Sequence, residues 1–124
     1  MKNKYLLSLL WVIVSGFGVL MAQEIAIIPQ PAHLIVKNES FKFGKQLKVC
    51  IASYRGDSVT LVFDSFKDDF QKATGIKVTS VRSEAKAGIV LSVNQTLAPE
   101  AYKLDVSPKQ IRIEAARPAG FYYA

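Results

Sequence analysis

Apolar and polar positions change rhythm several times along this chain, and the changes divide it into elements. Tyr5 to Leu20 is an uncharged, mostly apolar run with no amphipathic period. Glu24 to Ala32 is extended, because Pro29 and Pro31 push the residues before them away from helical angles. Leu34-Ile35-Val36 and Ser40-Phe41-Lys42-Phe43 flank Asn38-Glu39 and predict a hairpin, and Leu47 to Ile51 predicts a further strand. Ser53-Tyr54-Arg55-Gly56 is a loop leading to Asp57 or Ser58, either of which can cap a helix over Val59 to Thr74. Val59, Val62, Phe63, Phe66, Phe70 and Ala73 recur at helical spacing, Asp64, Lys67, Asp68 and Lys72 take the other side, and Gly75 is the stop. The period then shortens. Lys77 to Val81 and Ile89 to Val93 predict two strands, the second a short apolar run suited to a central place in a sheet.

Near the C-terminal end the alternation is strict. Tyr102, Leu104 and Val106 alternate with Lys103 and Asp105. Ser107-Pro108-Lys109-Gln110 makes a turn, with Pro108 fixing φ at its second position. Ile111, Ile113 and Ala115 then alternate with Arg112 and Glu114, completing a hairpin. After Arg117-Pro118 comes Ala119-Gly120-Phe121-Tyr122-Tyr123-Ala124, an aromatic segment without a polar tail. The expected fold class is α+β: a mixed or antiparallel sheet of about six strands, one main helix packed on it, and a second helix beginning at the C-terminal end. The terminal aromatics have little here to bury against, so the polypeptide is expected to continue past Ala124. Phe121, Tyr122 and Tyr123 are then contacts to a neighbouring part of the protein.

Composition and charge refine this. Lys2 and Lys4, the apolar run, and Met21-Ala22 before Gln23 read as an export signal over residues 1–22, cleaved between Ala22 and Gln23. No cysteine follows the run, so a lipid anchor at the new N-terminus is not expected, and neither is stable membrane insertion of the mature chain. What remains of the 124 residues is one domain's worth. The formal charge of +6 falls by two once Lys2 and Lys4 are gone. The other basic residues are scattered, Lys42, Lys45 and Lys48 included, and lack the tight basic face with stacking aromatics that nucleic-acid binding needs. The single cysteine, Cys50, lies in a strand-like segment and reads as a small buried hydrophobe.

Candidate chemistry is sparse. Asp68-Asp69 are adjacent acids, but they point about 100° apart on a helix beside Lys67 and Lys72, which suits a solvated face. His33, the one histidine, follows Pro31-Ala32 with no nucleophile motif elsewhere. Asn38-Glu39-Ser40 and Asn94-Gln95-Thr96 match the N-glycosylation pattern, and turn asparagines explain both. No catalytic, cofactor-binding or metal-binding residue is assigned.

The block PEAYKLDVSPKQIRIEAARPAGFYYA, with Ile28-Pro29-Gln30-Pro31 near the mature start, resembles the N-terminal accessory domain of glycoside hydrolase family 20, the β-N-acetylhexosaminidases. The likeness spans essentially residues 24–124, with a specific closing block and a middle matched only in pattern. It implies a zincin-like α+β fold. The name brings no zinc: zincins need two histidines one turn apart on a helix, and Val59 to Thr74 contains none. The likeness also implies that residues 23–124 are a non-catalytic domain cut off just before a catalytic (β/α)8 barrel, its one partner. Glycans would meet the enzyme through that barrel only. In that family the substrate's own acetamido oxygen is the nucleophile, and an Asp-Glu pair in the barrel orients it and moves the proton. No such pair occurs here, and no cofactor is implied. Glu100, inside the matching block, is expected to fix the closing hairpin through a loop or strand-edge hydrogen bond. The complete protein would be an exported enzyme that removes terminal β-linked N-acetylglucosamine or N-acetylgalactosamine. Two rivals are the equivalent domain of a family 84 β-N-acetylglucosaminidase, and a free-standing secreted carbohydrate-binding or interaction module.

Overall fold

The computed structural model describes residues 31–52 and 57–124. The export signal, its cleavage point at Ala22-Gln23, most of the proline-rich entry and the loop at 53–56 lie outside the described residues. The chain forms two compact units, Met1–Val36 and Lys37–Ala124. Of the first, residues 31–36 are described and contain no helix or strand.

The second unit is α+β. Strand β1 (Gln46–Ala52) is followed by helix α1 (Asp57–Thr74), β2 (Lys77–Ser80), a 3₁₀ turn (Glu84–Lys86), β3 (Ile89–Val93), β4 (Tyr102–Val106), β5 (Ile111–Ala115) and helix α2 (Pro118–Tyr123). The five strands make one mixed sheet in the order β2-β1-β3-β5-β4. β1 pairs in parallel with β2 and with β3, β3 pairs in parallel with β5, and the hairpin β4–β5 is antiparallel.

Period-2 alternation gives this sheet two unlike faces. Register places Leu47 beside Val78, Val49 beside Ile89, Leu91 beside Ile113, and Leu104 opposite Ile113 on one face. There Leu47, Val49, Val78, Ile89 and Leu91 join Val59 and Phe63 of α1 and Phe121 of α2 in the main core. Each such side chain contributes about 1.5–3 kcal/mol by burial. The other face carries a small cluster of Cys50, Ala87 and Val90 under the 3₁₀ turn, then Arg112 and Glu114. α1 connects β1 to β2 in one direction along the sheet, and the 3₁₀ turn connects β2 to β3 in the other. Right-handed crossovers running in opposite directions must lie on opposite faces, as these do.

Helix α1 ends where its sequence dictates. Gly75 adopts φ 72°, and its N–H donates to the Gln71 carbonyl at 2.9 Å. The Gln71 side-chain oxygen accepts the Val78 N–H at 2.8 Å, which ties the helix exit to β2.

One expectation fails among the described residues. The hairpin read over 34–43 is not part of the sheet, which has five strands rather than about six. Phe41 and Phe43 spend their rings on packing. A Cβ on Gly88 would stand 3.0 Å from Phe41 Cζ, and Phe43 meets Phe41 at 5.1 Å and Phe70 of α1 at 5.3 Å between ring centroids. The 3₁₀ turn, unforeseen, is held by Gln110 Nε2, which donates to the Glu84 and Ala87 carbonyls at 2.9 and 3.0 Å.

Candidate docking surface

The terminal aromatics stand on α2, and its placement follows from the residues just before it. Ala115 and Ala116, at the end of β5, are buried. The Ala115 carbonyl accepts the Asn94 N–H at 3.0 Å, which locks the end of β5 to the end of β3. Arg117 is extended (φ −138°, ψ 162°), and Pro118 opens the helix, where its missing N–H is not needed. Gly120 then crosses Ala101 closely: a Cβ there would lie 2.5 Å from the Ala101 carbonyl oxygen and 2.8 Å from Ala115 Cβ. This contact presses the helix onto the sheet and turns Phe121 inward.

The three aromatics therefore divide. Phe121 is 7% exposed and belongs to the core of this unit, with what remains of its surface on the groove between the helices, so it is not the exposed contact expected of it. Tyr122 and Tyr123 are 70% and 53% exposed, with rings in edge contact at 5.6 Å. Beside them an apolar groove of about 620 Å³ runs between α1 and α2. Its walls include Val62, Phe66 and Phe70 of α1, Leu91 and Ile113 of the sheet, and Tyr122. Ser65 and Asp69 are the polar residues of α1 along it. Such a surface offers packing area rather than proton transfer. Hydrophobic periodicity exposed the α1 stripe; that part of it would border an open groove depended on the length of the second helix, which no periodicity in Ala119–Ala124 could give.

The remaining candidates are spread out. Asp68 and Asp69 are both exposed, Asp69 at the groove rim, and His33 is exposed in a bend. Lys42, Lys45 and Lys48 are exposed as well. Glu100 is exposed, and its carboxylate bonds to no described residue. The turn before β4 is held instead by the Ala101 N–H to the Ala98 carbonyl at 3.0 Å, so the side-chain role expected of Glu100 falls to the backbone. Asn94 is a turn asparagine: its Oδ1 accepts from the Thr96 N–H at 3.1 Å and the Thr96 hydroxyl at 2.6 Å, while its Nδ2 donates to Glu114 at 2.8 Å. Cys50 is a free, buried thiol whose pKa is pushed up by burial and, secondarily, by Glu84. Two exposed ion pairs, Lys37–Asp105 at 3.0 Å and Arg112–Glu84 at 3.1 Å, lie away from the groove, and the Asp105 contact raises the Lys37 pKa. Among the described residues no cluster of three or more His, Cys, Asp or Glu could hold a metal ion.

Residues 24–124 match the family "Glycosyl hydrolase family 20, domain 2". Among solved structures, the chain is similar to the family 20 exo-β-N-acetylglucosaminidase of Vibrio harveyi in complex with N-acetylglucosamine. Identity is 32% and the TM-score 0.66, over 77% of this chain and 14% of that one. It shares its fold with the chitobiase of Flavobacterium johnsoniae (23% identity, TM-score 0.62, over 76% of this chain and 16% of that one). The same holds for the β-N-acetylhexosaminidase of Bacteroides fragilis (22%, TM-score 0.60, 77% and 18%). No match was found among curated proteins. The chain thus spans less than a fifth of the length of these solved relatives.

Proposed function

This chain belongs to glycosyl hydrolase family 20, as its domain 2, and from that premise we propose that it is the non-catalytic accessory domain of an exported exo-β-N-acetylhexosaminidase. The observation that carries the proposal is the family match over residues 24–124, in a chain that spans only 14% of a family 20 exo-enzyme 32% identical to it. A stretch that small in a much longer enzyme is a support rather than the machine.

In this reading residues 1–22 direct export and are removed between Ala22 and Gln23, leaving a periplasmic, cell-surface or secreted protein with no stable membrane insertion. A catalytic (β/α)8 barrel follows Ala124. The barrel removes terminal β-linked N-acetylglucosamine or N-acetylgalactosamine, with the Asp-Glu pair, and the domain holds it in place. Tyr122 and Tyr123, exposed at the end of α2, are the contacts toward it; Phe121 anchors that helix to the domain. The domain is of the zincin-like type and needs no zinc.

The test is release of p-nitrophenol from its N-acetyl-β-glucosaminide. Residues 23–124 should release none, and the polypeptide encoded through and beyond Ala124 should turn the substrate over. Activity in the short form would overturn the division of labour, and a stop codon directly after Ala124 would overturn the whole reading in favour of a free-standing module.

A further inference from the structure

The connection from β2 to β3 is short for a parallel crossover. Such crossovers usually take a dozen or more residues, commonly with a helix among them, whereas residues 81–88 suffice here. Register explains the economy. β2 ends with Ser80 beside Val49, and β3 begins with Ile89 beside the same Val49. The chain therefore steps straight across β1, about 10 Å for two strand spacings, without returning along the sheet. It crosses on the face opposite α1, where Cys50 and Val90 are buried with Ala87.

The two ends of this crossing are fixed to the sheet. The Val81 N–H donates to the Val49 carbonyl at 2.8 Å, the Gly88 N–H donates to the Lys48 carbonyl at 2.8 Å, and the Gly88 carbonyl accepts the Ile111 N–H at 2.8 Å. The middle is held differently. Arg82 to Lys86 are all exposed, Ala87 alone is buried, and Ser83 makes no side-chain cap for the 3₁₀ turn. Besides the turn's own bonds, the polar grip on this stretch among the described residues comes from two side chains. Gln110 Nε2 donates to the Glu84 and Ala87 carbonyls, and Arg112 Nη2 donates to Glu84 Oε2 at 3.1 Å and to Gln110 Oε1 at 3.2 Å. Ser107 bonds only the backbone of Gln110, so the turn before β5 does not need that side chain. Few buried contacts and solvent-exposed hydrogen bonds mark a segment that opens before the core does.

We propose that residues 82–87 form a strap latched by Gln110 and Arg112, which opens as a unit of its own and bares the second face of the sheet while the main core stays folded. Cys50 takes no part in the latch and serves as its reporter, being 2% exposed when the strap is closed. Burial also keeps its thiol protonated in that state, with Glu84 adding to the effect. The consequence is chemical. A thiol reagent reaches Cys50 as often as the strap opens, not as often as the domain unfolds. The two faces of one sheet thus have separate stabilities: α1 and its core seal one, and a few polar contacts close the other.

The test is the rate at which N-ethylmaleimide labels Cys50 in the full-length protein, read on the Cys50 peptide by mass spectrometry. At low reagent concentration reclosing outruns labelling, so the rate measures the open fraction. In the wild-type protein it should stay flat through the lowest urea concentrations, because a strap exposes little surface, and climb only near the unfolding transition. Gln110→Ala removes two hydrogen bonds to the strap and should raise the flat rate about tenfold. Phe63→Leu, which loosens the core on the other face, should leave that flat rate within about twofold while moving the unfolding transition to lower urea. A rate that follows urea from the first addition overturns the proposal, since Cys50 is then reached only by unfolding. So does Gln110→Ala labelling at the wild-type rate, or Phe63→Leu raising the flat rate as much as Gln110→Ala. The urea profile of the wild-type protein decides the matter alone where a variant does not fold.

Discussion

Two glycines show how differently single residues constrain this domain. Gly120 is held by space: its missing Cβ lets α2 approach the Ala101 carbonyl and the Ala115 methyl. Gly75 is held by conformation: its φ of 72° lies in the left-handed region, yet nothing stands within 4 Å of the place its Cβ would take. Gly120→Ala must push two chain segments apart in an enclosed site, and should cost about 1–3 kcal/mol. Gly75→Ala costs only the left-handed penalty of about 1–2 kcal/mol. Urea denaturation of both variants checks the magnitudes. A second measurement separates the mechanisms, because the crowding at 120 should shift amide resonances around Ala101 and Ala115, whereas the substitution at 75 should leave that region unchanged.

Elements report how their faces are used, and α1 is the plainest case. Its stripe is not uniformly buried: Val59 and Phe63 are 1% and 7% exposed, while Phe66 rises to 38%. Phe63→Ala empties a core site and should cost about 3–5 kcal/mol in denaturant unfolding. Leu61→Ala, on the outer side at 70% exposure, should stay within about 0.5 kcal/mol. The sequence made α1, β1, β3 and the β4–β5 hairpin legible: apolar spacing marks the buried face in α1 and β1, a short apolar run marks β3, and alternation around a proline turn marks the hairpin, although Leu104 and Val106 of β4 stay exposed. It misread residues 34–43, since Phe41 and Phe43 alternate as strand residues do while their rings serve tertiary packing. Strand order was legible in part: the β4–β5 hairpin and the central place of β3 follow from the sequence, whereas the pairing of β3 with β5 rather than β4 is non-local, and no residue in Ile111–Ala115 marks it. At the terminal aromatics the split between the buried Phe121 and the exposed Tyr122 and Tyr123 was not legible, since the inward turn of Phe121 depends on Gly120 meeting Ala101 across the fold.

At the scale of the molecule, the question is whether α2 belongs to this domain or to whatever lies beside it, and the two faces of the helix answer differently. Phe121 is enclosed with Val59, Phe63 and Leu91, in the same cluster that joins α1 to the sheet. Tyr122 and Tyr123 face away, and each other. If the helix is an integral part of the core, removing the Phe121 ring must unfold the domain by itself, with no neighbour needed to reveal the loss. In residues 23–124, Phe121→Ala should lower stability by about 3–5 kcal/mol, as for other enclosed aromatic rings. Tyr122→Ala and Tyr123→Ala, both on exposed sites, should each change it by no more than about 0.5 kcal/mol. The lone tryptophan, Trp11, lies outside residues 23–124, so unfolding of that stretch is followed by far-UV circular dichroism and tyrosine emission, and the two curves should coincide for a single core. Were Phe121→Ala as mild as the tyrosine variants, α2 would not be part of this core, which would have to close on α1 and the sheet alone.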